Sequence, residues 1–245
     1  MSTKYRAPAL VKGLEIIEFL APQTDTMTLS EICKNLGRSK NEIFRMVQEL
    51  ENSGYIDKPE DNDGYRVTSK LFMLGMERPR VSTLLEAALP EMRKYSQLTH
   101  QSCHIAINSG DEIVVIARIE SPGPVTFSVR IGHRQLLSKS SSGVVIYTWS
   151  LPAGKKQLLK QMKLVDSGFA KSKFIQLSDE ALENGYLSVP SCFVDGVVDI
   201  SAPIMRAGQT AAALTSPCIF THGEKLNPPV SELIEATNKI SALLT

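Results

Sequence analysis

Two helix-start signals flank a single glycine, Gly37, near the beginning of the chain. Thr28 with Glu31, and Ser39 with Glu42, each place a hydroxyl three residues ahead of a carboxylate. At that spacing the hydroxyl can accept the third amide while the carboxylate reaches back to the amide of the cap. Leu29, Ile32, Cys33 and Leu36 form one apolar stripe before Gly37, which suits a left-handed C-cap. Only Arg38 separates that glycine from the second cap. Two short helices joined by such a turn form a helix-turn-helix. Upstream, Leu10, Val11, Leu14, Ile17, Phe19 and Leu20 repeat at helical spacing until Pro22, which adds a helix in front of the pair.

The second helix of the pair, about Ser39 to Asn52, divides cleanly when wound at 100° per residue. Ile43, Met46, Val47 and Leu50 fall on one side and must pack inward, whereas Asn41, Arg45, Gln48 and Asn52 fall near the other. Asn and Gln can bond adenine through two hydrogen bonds, and Arg can do the same to guanine. Any surface helix turns polar groups outward. Here they stand on the helix that, in this motif, enters the major groove. Between residues 34 and 48, Lys34, Arg38, Lys40 and Arg45 oppose only Glu42, a local positive patch suited to phosphates. Tyr55-Ile56 and Tyr65-Arg66-Val67 then bracket a polar turn with the hairpin signal Asp63-Gly64. A hairpin after a helix-turn-helix makes a winged helix. Glu60, Asp61 and Asp63 at its tip repel phosphate, so the wing is expected to be mainly structural, with Arg66 its one DNA contact. The expected DNA-binding set is Arg38, Ser39, Lys40, Asn41, Arg45, Gln48 and Arg66.

Composition restricts the remaining classes. The chain has 245 residues, 42% hydrophobic and 22% charged, as in ordinary globular proteins. No run approaches the roughly 18–20 apolar residues of a membrane helix. The N-terminal stretch with Lys4, Arg6 and Pro8 lacks a secretory signal, so a cytoplasmic protein is expected. A net charge of +1 gives no global attraction to nucleic acid, and the case for DNA rests on the local patch. Cys33, Cys103, Cys192 and Cys218 are scattered without a CxxC pair, so reduced thiols rather than a metal site are expected.

Past Leu71–Gly75 the pattern breaks at Glu77 to Arg80 and resumes as a helix from Val81 to Leu98, which Pro90 should kink or restart. This segment suits a linker helix that pairs with a second copy, or the first core helix of the next domain. From Ser102 the rhythm becomes short and β-rich: Cys103–Ile107, Ile113–Ile119, Val125–Ile131, Val197–Ile204 and Thr210–Thr215, linked by turns such as Asn108–Asp111 and Arg206–Gln209. Helices are expected at Val144–Trp149, Lys155–Met162, Ser178–Asn184 and Ser231–Leu244. The result is an antiparallel sheet of about six strands flanked by helices. The chain lacks GxSxG, HExxH, P-loop and GxGxxG motifs, and His100, His104, His133 and His222 are dispersed, so no catalytic residues and no cofactor are expected. Ser140, Ser141 and Ser142 cluster before a helix, as a cap or as a cradle for a polar ligand group.

The order of elements resembles the IclR-type transcriptional regulators. The likeness runs from Val11–Leu20 through Leu29–Cys33, Leu36-Gly37 and Gly54–Ile56 to Tyr65–Val67 and Leu71–Gly75. It continues in Ile119–Pro122, Gly132–Arg134, Gly185-Tyr186, Asp195-Gly196 and Ala202-Pro203. The resemblance implies an α+β protein: an N-terminal winged helix-turn-helix over 1–76, a linker helix over 77–98, and a GAF-like effector domain over 99–245 with an antiparallel sheet flanked by helices. It implies a homodimer or dimer of dimers on operator DNA, answering to a small-molecule effector, with no membrane partner. It also places the effector against Ser140, Ser141, Ser142, Gly143, Asp199, Thr215 and Pro217.

Three departures stand out. Ser140-Ser-Ser-Gly-Val144 replaces a small-residue loop ending in Gly-Lys, Asp199 replaces a common cysteine, and Val189-Pro190-Ser191 replaces an acidic run. A carboxylate facing a partly buried pocket disfavours an anionic ligand unless a cation such as Arg130 or Arg134 compensates. The expected effector is therefore hydroxyl-rich or cationic, contacted by Ser141, Ser142 and Asp199, unless Asp199 caps a turn or pairs internally. The alternative function is a winged-helix protein-interaction module coupled to a small-molecule sensor.

Overall fold

A computed structural model of the chain describes residues 7–77, 79–124, 126–192, 194–219 and 227–244. Lys4, Arg6, Val125, Phe193 and His222 lie outside them. The fold divides into two compact units after Val81.

The first unit is built on α1 (Pro8–Leu20), α2 (Leu29–Leu36) and α3 (Lys40–Asn52). Both capping boxes form. The Glu31 carboxylate accepts the Thr28 amide at 2.8 Å, and the Glu42 carboxylate accepts the Ser39 amide at 3.1 Å. Gly37 sits at φ 63°, and the amide of Arg38 closes on the Cys33 carbonyl at 3.0 Å. The left-handed residue reverses the chain within a few residues, as glycine allows without steric cost. Ile16, Leu20, Ile32, Ile43, Val47 and Ile56 form the core. Strands β1 (Ile56–Asp57) and β2 (Arg66–Val67) pair antiparallel as the wing, and Met27 bridges Tyr65 beside them. Gly64 is needed for proximity rather than for turn geometry, because a Cβ there would lie 2.6 Å from the Thr26 hydroxyl. Helix α4 (Lys70–Met76) follows.

Helix α5 (Pro79–Thr99) runs unbroken through Pro90. Its Leu84, Ala88, Met92 and Tyr95 are buried in the core of the second unit. It is therefore a core helix of that unit, one of the two roles the sequence leaves open. The second unit holds one antiparallel sheet in the order β5-β4-β3-β8-β7-β6. Its strands are β3 (Cys103–Ser109), β4 (Glu112–Ile119), β5 (Arg134–Leu136), β6 (Leu187–Pro190), β7 (Val197–Arg206) and β8 (Gln209–Ile219). The expected strand over Val125–Ile131 is absent from the described residues there, and the edge strand is Arg134–Leu136 instead. Phe127 and Val129, which gave the alternating pattern, turn into a cavity, and Gly132 at φ 82° redirects the chain onto Val115.

Side chains alternate across the sheet, so each strand feeds two cores. Ile105, Ile200, Ala202, Ile204 and Leu214 pack with α5 and α9 (Val230–Ala242). Ala106, Ile113, Val115 and Ala213 pack on the other face with α6 (Ser141–Thr148), α7 (Pro152–Val165) and α8 (Lys171–Asn184). Helix α6 is buried from Ser142 to Thr148, which its apolar run Val144–Ile146 permits. Gly143 sets its approach: a Cβ there would lie 2.1 Å from the Leu137 carbonyl oxygen. Gly143→Ala should therefore cost about 1–3 kcal/mol, the range for overpacking a tight contact, as measured by denaturant unfolding of the full chain.

Candidate functional site

The first site is the outer face of α3. Ile43 and Val47 are fully buried, and Leu50 and Met46 are partly buried behind them. That anchorage turns Lys40, Asn41, Arg45 and Gln48 to solvent. Lys40 and Arg45 have no hydrogen-bond or ion-pair partner among the described residues, so both are available to an anionic partner. The opposing acid is occupied. Glu42 takes Lys12 at 2.9 Å and the Ser39 hydroxyl at 2.9 Å, and these bonds, with that of the Ser39 amide, hold its carboxyl down at about 2. Ser39 thus serves the helix start. Arg38 is clamped to Glu15, with Nη2 at 2.7 Å, and Arg66 lies across the wing on Asp57 at 2.8 Å. Phe44, 42% exposed on the same side as Asn41 and Gln48, belongs to neither of the two sets that the periodicity separates. An exposed aromatic there can lie against a thymine methyl.

The second site follows from strand register. His104 on β3 stands opposite Thr215 on β8, and Thr215 stands opposite Ser201 on β7. Asp199 lies two residues along from Ser201 on the same face. The α6 N-terminus closes over this row. The Thr215 hydroxyl lies 2.8 Å from that of Ser142 and 2.8 Å from that of Ser201, a buried chain that ties the helix to the sheet. Ser140 caps α6 by accepting the Gly143 amide at 2.9 Å.

Between these elements lies an inner chamber of about 30 Å³, lined by His104, Gln135, Ser140, Ser141, Ser142, Asp199 and Thr215 together with Phe127 and Val129. An adjoining cleft of about 490 Å³ shares Ser140, Ser141 and Asp199 with it and is walled by Phe169, Phe174, Leu177 and Val189. The chamber is water-sized, whereas the cleft has the volume of a small-molecule site. Five of the expected effector residues meet here: Ser140, Ser141, Ser142, Asp199 and Thr215. Gly143 and Pro217 line neither cavity. Gly143 is consumed by its contact with Leu137, and Pro217 is buried in the β8 ladder opposite Asp199. His104 and Gln135 were not anticipated. The ladder register, which a lone sequence does not show, brings His104 to Thr215, and the short edge strand β5 carries Gln135 to the same chamber as Asp199. Arg134, one of two cations that could have compensated Asp199, instead pairs with Glu112 at 2.7 Å, and neither it nor Arg130 lines either cavity.

Burial sets the electrostatics. Desolvation pushes the Asp199 carboxyl up to about 6, against a smaller opposing effect of a hydrogen bond from Ser191. Desolvation, with His133 nearby, brings His104 down to about 4, so its imidazole is neutral near pH 7. His104 Nδ1 is buried without a hydrogen-bond partner among the described residues. Those residues also contain no group of three or more His, Cys, Asp or Glu able to hold a metal, and no helix long and apolar enough to cross a membrane.

A winged helix with an exposed polar face, in one chain with a sheet domain enclosing a polar-floored cleft, defines a ligand-binding transcriptional regulator. Two family descriptions match the chain: the IclR helix-turn-helix domain over residues 9–60, and the bacterial transcriptional regulator IclR C-terminal domain over residues 80–242. The chain belongs to the IclR family, with a helix-turn-helix DNA-binding domain followed by a C-terminal ligand-binding domain. It is 27% identical over 241 residues to the HTH-type transcriptional regulator KdgR of Escherichia coli, covering 96% of this chain and 91% of that one. It is 23% identical over 244 residues to the HTH-type transcriptional regulator BhcR of Paracoccus denitrificans, covering 95% and 86%. Its fold matches that of an IclR homolog from Microbacterium hydrocarbonoxydans complexed with 4-hydroxybenzoate, with a TM-score of 0.78 at 22% identity, covering 96% of this chain and 98% of that one.

The two shifted groups of the chamber give opposite pH effects. Between about pH 4 and 6 the folded protein keeps a proton on Asp199 that the unfolded chain, near 3.8, has released. Stability from this group is present at low pH and is lost as pH rises through that window. His104 acts the other way, losing stability as pH falls from 6.5 towards 4, but it does so in both proteins of a comparison. The stability of Asp199→Asn relative to the parent should therefore climb from about pH 4 to 6 and then level off, as read by urea unfolding across pH. A flat difference would show that Asp199 is not desolvated.

Proposed function

We propose that the chain binds operator DNA by seating α3 in the major groove. In this reading Asn41, Arg45 and Gln48 contact base edges, and Lys40 contacts phosphate. The supporting observation is their shared exposure on a helix whose other side is locked by Ile43 and Val47. Ser39 acts through the helix start. Arg38 and Arg66, held by Glu15 and Asp57, reach DNA only by exchanging those carboxylates for phosphate.

The protein works as a homodimer or dimer of dimers in the cytoplasm, where operators lie, and it acts by binding rather than by catalysis. A helix-turn-helix monomer covers one half-site, and a symmetric pair matches a palindrome at one helical turn. Helix α5, at the junction of the two units, is the connecting element. The effector occupies the cleft above Ser141 and Asp199 and shifts the population of DNA-competent dimers through its differential affinity for the two states. The relative from Microbacterium hydrocarbonoxydans, which holds 4-hydroxybenzoate, supports a small organic ligand as the class. A protein-interaction role for the winged helix is less favoured, since the outer face of α3 carries amides and a guanidinium around the lone aromatic Phe44 rather than an apolar patch.

Arg45→Ala should lose about 1–3 kcal/mol of discrimination at one base position in a binding-site selection. Lys40→Ala should weaken binding to all sequences alike and reduce the salt slope by about one. Unchanged specificity in the first variant would remove Arg45 from base reading.

A further inference from the structure

With the cleft read as the effector site, its lining bears on the chemical class of the effector. Asp199 lies on the boundary shared by the inner chamber and the outer cleft, accessible from both. The groups facing it from the packed elements are His104 and His133 in the chamber and the thiols of Cys192 and Cys218. Burial raises both thiols, that of Cys218 to about 11, and Asp199 itself adds to the shift, so neither is an anion near pH 7. His104 stays neutral. Among the described residues neither Lys nor Arg lines the chamber. Of the two lysines along the cleft, Lys139 lies 3.6 Å from Asp166, and Lys173 is exposed at the rim. Among the described residues no lysine or arginine is paired with this part-desolvated carboxylate, a costly arrangement unless a ligand supplies the charge. The α6 N-terminus offers about half a positive elementary charge, less than the full negative charge opposite it. Beyond Asp199 the cleft becomes apolar along Phe169, Phe174, Leu177 and Val189.

We propose that the effector is an amine, with its protonated nitrogen seated on the Asp199 carboxylate, its body lying along Phe169, Phe174 and Leu177, and a hydrogen-bond donor meeting the open Nδ1 of His104. Ser141, whose hydroxyl has no hydrogen-bond partner among the described residues, supplies a further polar contact at the junction.

The test uses the full chain and three probes of matched shape: benzylamine, benzyl alcohol and benzoate, at millimolar concentration. Melting temperature and calorimetric affinity are followed at pH 7.5 and pH 5. The expected result is protection by benzylamine, at least tenfold weaker binding of benzyl alcohol, and none of benzoate. Benzylamine affinity should fall by up to about tenfold per pH unit below about 6, as Asp199 takes its proton. Asp199→Asn should erase the preference for the amine over the alcohol. Should that variant not fold, calorimetry of the parent near pH 6 in buffers of different ionisation enthalpy decides the point. An ammonium on Asp199 releases protons, whereas a carboxylate held by protonated Asp199 takes them up. Stronger binding of benzoate, rising below pH 6, overturns the amine and leaves the cleft as the effector site. Stronger binding of benzyl alcohol likewise overturns the amine. Failure of all three probes to protect overturns both the amine and the effector site, while operator binding through α3 is judged separately by its own variants.

Discussion

The burial of Ile43 and Val47 fixes the rotation of α3 about its axis, and the proposed DNA-reading face depends on that rotation. Two β-branched side chains four residues apart, both fully buried against Ile16, Leu20 and Ile32, leave the helix one way to sit. Its polar residues then have only the outward direction. The capping box at Ser39 fixes where the helix begins, and the ion pair from Lys12 to Glu42 ties that start to α1 while occupying the acid that would oppose phosphate. Packing, capping and charge therefore act together on one short helix.

The second unit turns a backbone regularity into a site. Antiparallel register lines up His104, Thr215 and Ser201 across three strands, and the hydroxyl chain from Ser142 to Ser201 uses that row to dock the α6 N-terminus. Each hydroxyl in the chain meets a partner, so the polar row can be buried at little net cost. Asp199 departs from this pattern. Its carboxyl meets Ser191 and is otherwise partly desolvated, and a charge kept in that state is a structural expense that binding can recover. Sites in which a titratable group is perturbed beside a cleft are where ligand chemistry is expected to be decided.

Much of the first unit was legible in the sequence because its determinants are local. Both capping boxes, the glycine turn and the apolar stripe of α3 lie within a few residues of their partners, and each formed as read. The wing was also legible, though Gly64 proved to serve contact with Thr26 rather than a turn. The second unit was read less completely for the opposite reason. Val125–Ile131 has the alternation of a strand, yet Phe127 and Val129 are spent on a cavity wall, and the shorter Arg134–Leu136 takes the sheet edge. The serine cluster was visible as hydroxyls gathered before a helix, and Asp199 as a departure from a family pattern. His104 was invisible because its pairing with Thr215, over a hundred residues away, carries no signal in a single sequence, and Gln135 because the sheet edge was read at Val125–Ile131. Arg38 and Arg66 looked free until their carboxylate partners, Glu15 and Asp57, were brought beside them by folding.

Sequence-specific operator binding is tested most directly by anisotropy titration of the full chain against labelled DNA from upstream of its own gene, beside a scrambled duplex of equal length and composition at physiological salt. A regulator reading bases through α3 should prefer the native duplex by roughly a thousandfold or more, and both affinities should fall as salt rises. Equal affinity for the two duplexes over successive upstream windows would contradict it.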